Sequence, residues 1–424
     1  MHELPDPRDV SWAQLHDVPV AVVTGSNGKT TTVRLLAACA REQGWRDGYS
    51  CTDGLFIAGE QVASGDYSGP VGTRTVLRDA RVEAAVLEIA RGGILRRGLA
   101  LHRARVAVVT NVSADHFGEY GIHDLAALAD VKLVVASVVR DDGLLVLNAD
   151  DALLREHGMR IDGPVGWFAI DHDHAVLREH RERGGWTSGV RAGRLVVSRS
   201  VERTADAARR GDALAPQEID LGDIAAMPLT VGGTASYNVA NVCCAALAAV
   251  ALGVAPANVA SVLARFGARP TDNPGRLMRY AYRGAQALID YAHNPEGLTG
   301  LMQVAAHLKR DGRVALLLGQ AGNRETADIE RLAETAAKFR PDFVVVKETE
   351  AYMRGRAPGE VPAILRAALL RAGLPESAIE VRMTEVDAAR RVLDWARPGD
   401  VLVLPVHDRA ARAAVLELVT GAPS

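Results

Sequence analysis

Residues 18–24 form a near-continuous apolar run, which predicts a parallel strand buried on both faces. Gly25 and Gly28 punctuate its end. The stretch 30–43 then spaces Val33, Leu35, Leu36 and Ala40 along the apolar faces of a predicted helix. Further apolar runs at 84–89, 106–110 and 143–147 predict buried strands, with an Ala/Leu-rich helical stretch at 124–139 between the last two. Strands alternating with helices indicate a parallel α/β sheet. From 165 to 228 the pattern shortens into small β elements, 194–198 among them, read as decoration of the first domain. Residues 237–252 are again helical. The segment Arg269-Pro-Thr-Asp-Asn-Pro-Gly275 has the turn chemistry of a linker. A second alternation follows, with strands predicted at 285–289, 313–318, 342–346, 379–383 and 400–404 and helices at 329–339 and 361–372. The expected layout is an extension (1–17), a P-loop-type parallel-sheet domain (18–268) and a Rossmann-like α/β domain (269–424).

Composition narrows the function classes. The 424 residues carry 49 Lys+Arg against 52 Asp+Glu, a net charge of −3, which excludes nucleic-acid binding by bulk charge. Aromatics are 4%, too few for base-stacking platforms. The longest apolar stretch, 242–254, is too short to span a bilayer, and residues 1–17 are polar, unlike a secretory signal. No membrane or nucleic-acid partner is expected, and the location expected is cytoplasmic. Cys39, Cys51, Cys243 and Cys244 lack metal-ligand spacing and read as small buried thiols. Only five basic residues are lysine: Lys29, Lys132, Lys309, Lys338 and Lys347. Lysine and arginine differ in shape and reactivity, so each surviving amine raises the question of a specific need.

Thr24-Gly-Ser-Asn-Gly-Lys-Thr-Thr-Thr32 lies between a predicted strand and a predicted helix, the context in which a phosphate-binding loop works. Gly25, Ser26, Asn27, Gly28 and Thr31 would bring backbone and hydroxyl groups to phosphate oxygens. Lys29 would neutralise the β- and γ-phosphates, and the Thr30 hydroxyl would coordinate Mg²⁺. Val23 stands where the longer P-loop pattern has its first glycine, so the shorter G-x-x-G-K-T is met. Glu88 ends a predicted strand at the edge where α/β sheets bind ligands, and suits either Mg²⁺ or an ion pair with Arg91 or Arg96. Asn148 and Asp150 follow another strand, at a crevice edge or as turn formers. Asn238 and Asn241 are one helical turn apart and can share a face toward a nucleotide. Asp290 ends the first strand of the second domain and suits a ribose hydroxyl, with His293 and Asn294 beside it. Gly319-Gln-Ala-Gly-Asn-Arg324 is a glycine turn able to meet an anion. Lys347-Glu-Thr-Glu350 and Arg354-Gly-Arg356 read either as a substrate-facing surface or as a solvated charged loop.

The P-loop resembles that of the Mur ligase superfamily, which includes the muramyl peptide ligases and folylpolyglutamate synthetases. Thr110-Asn-Val-Ser-Ala-Asp-His116, Leu147-Asn-Ala-Asp-Asp151, Asn238-x-x-Asn241 and Asp290-Tyr-Ala-His-Asn-Pro295 follow in the same order. Thr52-Asp-Gly54, Leu87-Glu-Ile-Ala-Arg-Gly-Gly-Ile-Leu-Arg96, Pro274-Gly-Arg276 and Arg354-Gly-Arg356 look most like the Mur-like C-terminal half of cyanophycin synthetases. Within these 424 residues no counterpart is expected of the ATP-grasp part of those enzymes or of the UDP-sugar domain of muramyl ligases. The resemblance implies an ATP- and Mg²⁺-dependent ligase that joins an amine or amino acid to a carboxylate-bearing acceptor through an acyl phosphate. It further implies Thr30, Glu88 and His116 as metal ligands, and Arg276 at the γ-phosphate. Lys132 is implied as a carbamylated lysine that positions Mg²⁺; its plain reading is a helix lysine snorkelling to water. A separate ATP-grasp protein is a conceivable partner. The rival readings are a P-loop ATPase or small-molecule kinase, and a non-catalytic nucleotide-binding subunit.

Overall fold

The computed structural model describes residues 17–113, 119–199 and 217–421. Its packing groups them into two units. The first holds the residues up to Val112, Tyr120–Gly222 and Ala240–Leu263; the second holds Asp223–Val239 and everything from Ala264 onward.

The strands of the first sheet are β1 (Val20–Thr24), β2 (Asp47–Cys51), β3 (Gly54–Ile57), β4 (Glu60–Ser64), β5 (Ala84–Glu88), β6 (Ala104–Val109), β7 (Val139–Asn148), β8 (Val165–Asp171), β9 (Trp186–Arg191), β10 (Arg194–Arg199) and β11 (Gln217–Asp223). Their spatial order is β11-β10-β9-β8-β7-β6-β1-β5-β2-β3-β4. β1 is central and parallel to both neighbours, β5 and β6. Every residue of β1 is buried, as its apolar run requires. The register sets Val23 opposite Glu88 and Thr24 opposite Val109, so the ends of these strands share one edge. Helix α1 (Lys29–Glu42) starts there and buries Val33, Leu35, Leu36 and Ala40.

Two features add to the sequence reading. The β elements after residue 165, read as decoration of the first domain, do belong to the first unit and are continuous with its main sheet: β8 pairs parallel with β7, and β9 with β8. β2, β3 and β4 escaped prediction because the antiparallel strands are short and β4 is largely exposed, without an apolar run. The four cysteines are buried free thiols, as expected.

The second unit carries a sheet in the order β12-β13-β17-β14-β15-β16. Its strands are β12 (Met278–Tyr282), β13 (Ala285–Asp290), β14 (Val314–Leu318), β15 (Phe343–Lys347), β16 (Ile379–Arg382) and β17 (Val401–Pro405). β12 is antiparallel to β13, and the other pairings are parallel. Alternate residues divide between two cores: Leu288, Leu316 and Val403 face one, and Ile289, Leu317 and Leu404 the other. Helices cover both faces, the doubly wound arrangement that binds ligands at the carboxyl edge of its sheet. Asp290, Lys347 and Pro405 end strands at that edge.

Candidate functional site

In the first unit the glycine loop is braced from behind. Gly25 (φ 144°) and Gly28 (φ 84°) take backbone conformations that L side chains rarely adopt. A Cβ on Gly25 would lie 1.9 Å from Thr110 Oγ1, and one on Gly28 would lie 2.2 Å from Asn241 Oδ1. Thr110 donates its hydroxyl to the Asn27 carbonyl at 2.6 Å. Asn111 grips the same residue twice: its Oδ1 accepts Asn27 N–H at 2.9 Å, and its Nδ2 donates to Asn27 O at 3.1 Å. Asn148 Nδ2 donates to the Thr110 carbonyl at 2.9 Å, and Asp151 accepts the Val112 N–H at 2.6 Å. Asn148 thus combines a turn role, accepting the Asp150 N–H, with support of the loop.

This bracing shapes the amino end of α1. Gly28 caps the helix without a side-chain hydrogen bond, and its first turn contains no acidic residue. The first turn of any helix carries N–H groups that lack intrahelical acceptors, together with the positive end of the dipole. Lys29 curls over the loop, its ammonium donating to Gly25 O at 3.1 Å and Ser26 O at 3.0 Å. Positive charge is therefore concentrated where an anion would sit.

Glu88 lies beside it, wholly buried. Its Oε2 accepts the Thr30 hydroxyl at 2.8 Å, and its Oε1 accepts the Thr52 hydroxyl at 2.8 Å. The Thr52 N–H also donates to Oε2, at 3.3 Å. A buried carboxylate needs such donors. Thr30 and Glu88 together offer hydroxyl and carboxylate oxygens, a hard donor set that fits Mg²⁺. Thr52 and Asn111 were not singled out from sequence, though both fall within motif blocks. Asp53 next to Thr52 pairs with Arg34 of α1 at 2.8 Å, which ties the β2–β3 turn to the helix carrying Thr30.

Lys132 is buried, 3% exposed, which removes the snorkelling alternative. His116 lies outside the described residues. Among the described residues no group of three or more His, Cys, Asp or Glu is placed to hold a metal ion. Asn241 is 5% exposed and meets the loop at Gly28. Asn238 belongs to the second unit, where its Nδ2 donates to Leu229 O at 3.0 Å.

In the second unit Asp290 anchors the backbone around Arg276. Its oxygens accept Leu277 N–H at 2.6 Å and Ala292 N–H at 2.7 Å. Burial raises its pKa, against the opposing pull of Arg276 and these N–H groups. Leu277 takes a left-handed backbone (φ 46°), which the Asp290 bond holds. Asn294 caps the helix Pro295–Leu308 by accepting the Gly297 N–H.

Within the Lys347-Glu-Thr-Glu350 segment, the first three residues are interior rather than solvated, whereas Glu350, and Arg354 beyond it, are exposed. Lys347 is fully buried at the end of β15, Glu348 is 3% exposed and Thr349 is 1% exposed. The Lys347 ammonium pairs with Glu385 and donates to Pro405 O at 2.8 Å. Glu385 also accepts the N–H groups of His407 and Asp408. Gly319 packs flat on this lysine: a Cβ there would come within 2.6 Å of Lys347 Cγ. Arg356 likewise turns inward, donating to the carbonyls of Gly322 and Arg324. A charged stretch resembles a loop in sequence, but partners distant in the chain neutralise it.

Comparison with known proteins matches this architecture. The family model "Mur ligase middle domain" covers residues 23–249, and "Mur ligase, glutamate ligase domain" covers 275–405. Cyanophycin synthetase of Trichormus variabilis is 34% identical over 99% of this chain and 46% of its own length. The diaminopimelate-adding UDP-N-acetylmuramoyl-L-alanyl-D-glutamate ligase of Corynebacterium efficiens is 27% identical over 92% of this chain and 69% of its own. The chain thus spans under half the length of the cyanophycin synthetase. E. coli FolC, solved with ADP, superposes with a TM-score of 0.65 at 18% identity, covering 95% of this chain and 89% of FolC. Since the middle-domain model alone covers more than half of its residues, the chain belongs to the Mur ligase family.

Proposed function

We propose that the protein is an ATP- and Mg²⁺-dependent ligase that joins an amine or amino acid to a substrate carboxylate. The observation that carries this reading is the Thr30–Glu88 pair at the amino end of α1, under the glycine loop and Lys29. The family relationship supports it, since the relatives matched in sequence are named as a synthetase and ligases.

A free carboxylate is a poor acyl donor, so phosphorylation by ATP supplies a leaving group. The task of the site is then charge neutralisation and in-line positioning. In this reading the loop N–H groups and Lys29 hold the β- and γ-phosphates, and Arg276 meets the transferred phosphoryl group. Thr30 and Glu88 would hold Mg²⁺, which supplies further neutralisation of phosphate charge when bound. Asn241 and Asn238 contribute to the nucleotide site. Asp290 keeps lone pairs for a ribose hydroxyl beyond those its backbone donors use. An incoming amine attacks the acyl phosphate, the amide forms and phosphate leaves. Lys132, carbamylated, would present an anionic oxygen where its ammonium cannot, and His116 is proposed as a second metal ligand. A separate ATP-grasp protein is a candidate supplier of the acceptor.

The test is phosphate release from ATP over a panel of amino acids and acidic peptides, with mass spectrometry of the products. Amide products that vanish in Lys29→Ala, with the fold intact, are expected. ATP turnover without any amide would favour a kinase or ATPase instead. Spectra taken with ¹³C-bicarbonate should show a carbamate signal that is lost in Lys132→Ala; an identical spectrum from that variant would remove the carbamylation.

A further inference from the structure

The carboxyl edge of the second sheet contains an aromatic arrangement that the reading above does not use. β13 and β17 run in parallel register, Asp290 opposite Pro405, and the Val406 N–H donates to the Asp290 carbonyl at 2.9 Å. The residues following each strand are thereby set side by side. Tyr291 receives two imidazoles edge-on: His293 at 5.4 Å and 65°, and His407 at 5.4 Å and 82°. The Arg276 guanidinium carbon lies 4.6 Å from the centre of the same ring.

Each part of the bracket is itself held. His407 Nε2 is bonded to Ala292 O at 3.0 Å, and the His407 backbone N–H donates to Glu385, the carboxylate paired with buried Lys347. His293 Nδ1 is bonded to the Tyr291 carbonyl at 3.1 Å, and its carbonyl accepts from Gln320 at 2.8 Å. Burial first, then the Lys347 charge, pushes the His407 pKa well below its usual value, so the ring beside Tyr291 stays neutral. At its base, Arg276 is fixed through the neighbouring Leu277 N–H on Asp290, and its Nη1 donates to Gly275 O at 3.0 Å. The Nη1 bond holds one edge of the guanidinium at the head of this long side chain. The electron-rich face of a ring attracts a guanidinium and adds a second constraint on its orientation.

We propose that Tyr291 is a positioning residue: its ring, set edge-on by His293 and His407, holds the Arg276 guanidinium in the orientation that receives a γ-phosphate. The inference rests on the reading of Arg276 as the phosphoryl contact. It assigns the bracket a role in nucleotide discrimination rather than in packing alone. The ring face is what acts, so the phenol hydroxyl is dispensable.

The test compares the affinities of full-length protein for ADP and for a non-hydrolysable ATP analogue, by calorimetry with Mg²⁺ present. Arg276→Ala should lower analogue affinity about tenfold, ~1.4 kcal/mol, while ADP binding holds. Tyr291→Phe should match wild type. Tyr291→Met keeps bulk without a π face and should lose about as much analogue affinity as Arg276→Ala. The double variant should be no worse than Arg276→Ala alone, the signature of one shared interaction. Tyr291→Leu serves as a second variant if the methionine protein does not fold. An unaffected Arg276→Ala would overturn the phosphoryl role of Arg276. A damaged Arg276→Ala combined with a wild-type-like Tyr291→Met, an additive double variant or a defective Tyr291→Phe would overturn the positioning role alone.

Discussion

Glu88 is a fully buried carboxylate that accepts hydrogen bonds from the Thr30 hydroxyl and from the hydroxyl and N–H of Thr52. Both partners are neutral, so these hydrogen bonds introduce no positive charge to compete with a cation, as an arginine partner would. Thr52→Val removes one O–H donor and leaves Oε1 of a buried anion short of a partner. The expected loss is about 2 kcal/mol of stability, the usual range for a hydrogen bond to a charged group. Mg·ADP binding should weaken with it, and Thr52→Ser should restore both. Urea unfolding and calorimetry on the two variants check this; a wild-type profile for Thr52→Val would mean that Thr52 does not position Glu88. Lys347 shows the opposite device, a buried amine whose charge is answered by Glu385 inside the protein. Such a pair is costly to break and contributes little net stability as a pair, so its value is geometric: Glu385 also fixes the backbone at His407 and Asp408.

At the scale of elements, the loop between β1 and α1 depends on the strand beside it. Thr110 and Asn111, just past the end of β6, hold Asn27 through three hydrogen bonds. The glycines are demanded by two separate constraints, backbone conformation and lack of room. Gly28→Ala places a β-carbon at φ 84° and 2.2 Å from Asn241 Oδ1. The left-handed conformation alone costs roughly 1–2 kcal/mol. The collision can be relieved only by moving Asn241 or the loop. Gly28→Ala is therefore expected to keep its fold, with a lowered melting temperature, and to lose ADP affinity at least about tenfold. Circular dichroism melts and ADP titration decide this, and an unchanged affinity would show that the loop does not form the phosphate site.

At the scale of the whole molecule, a buried histidine outside the candidate site shapes the response to pH. His172, between β8 and β9, is wholly buried, with Nε2 3.2 Å from Ser198 Oγ. Burial first, and the charge of Arg181 second, push its pKa down to about 4. An unfolded histidine titrates near 6.5. Between these two values the unfolded chain binds more protons than the folded one, so stability rises with pH. The contribution is complete above about pH 6.5 and is lost as pH falls toward 4. The urea midpoint of the wild type should therefore drop more steeply than that of His172→Gln between pH 7 and pH 4.5. Parallel slopes would show that His172 does not set this dependence. No helix among the described residues is long and apolar enough to cross a membrane.

The local pattern of the chain determined the central strands of both sheets, most of their helices and the glycine loop. These depend on neighbours in sequence: an apolar run can be buried on two faces, and glycine alone enters certain turns at no steric cost. Thr30 and Glu88 were legible as separate candidates because each stands at an element's end. Their contact across 58 residues was decided by sheet order, which seats β5 beside β1. The same applies to Asn111 on Asn27, 84 residues apart, and to Lys347 on Glu385, 38 apart. A residue's burial and partners depend on strand register and on which strand is adjacent, and neither leaves a periodic trace in sequence. That is why the solvated-loop reading of the Lys347 segment fails for Lys347, Glu348 and Thr349, which are interior. It is also why the bracket around Tyr291 emerged only once β13 and β17 were seen side by side.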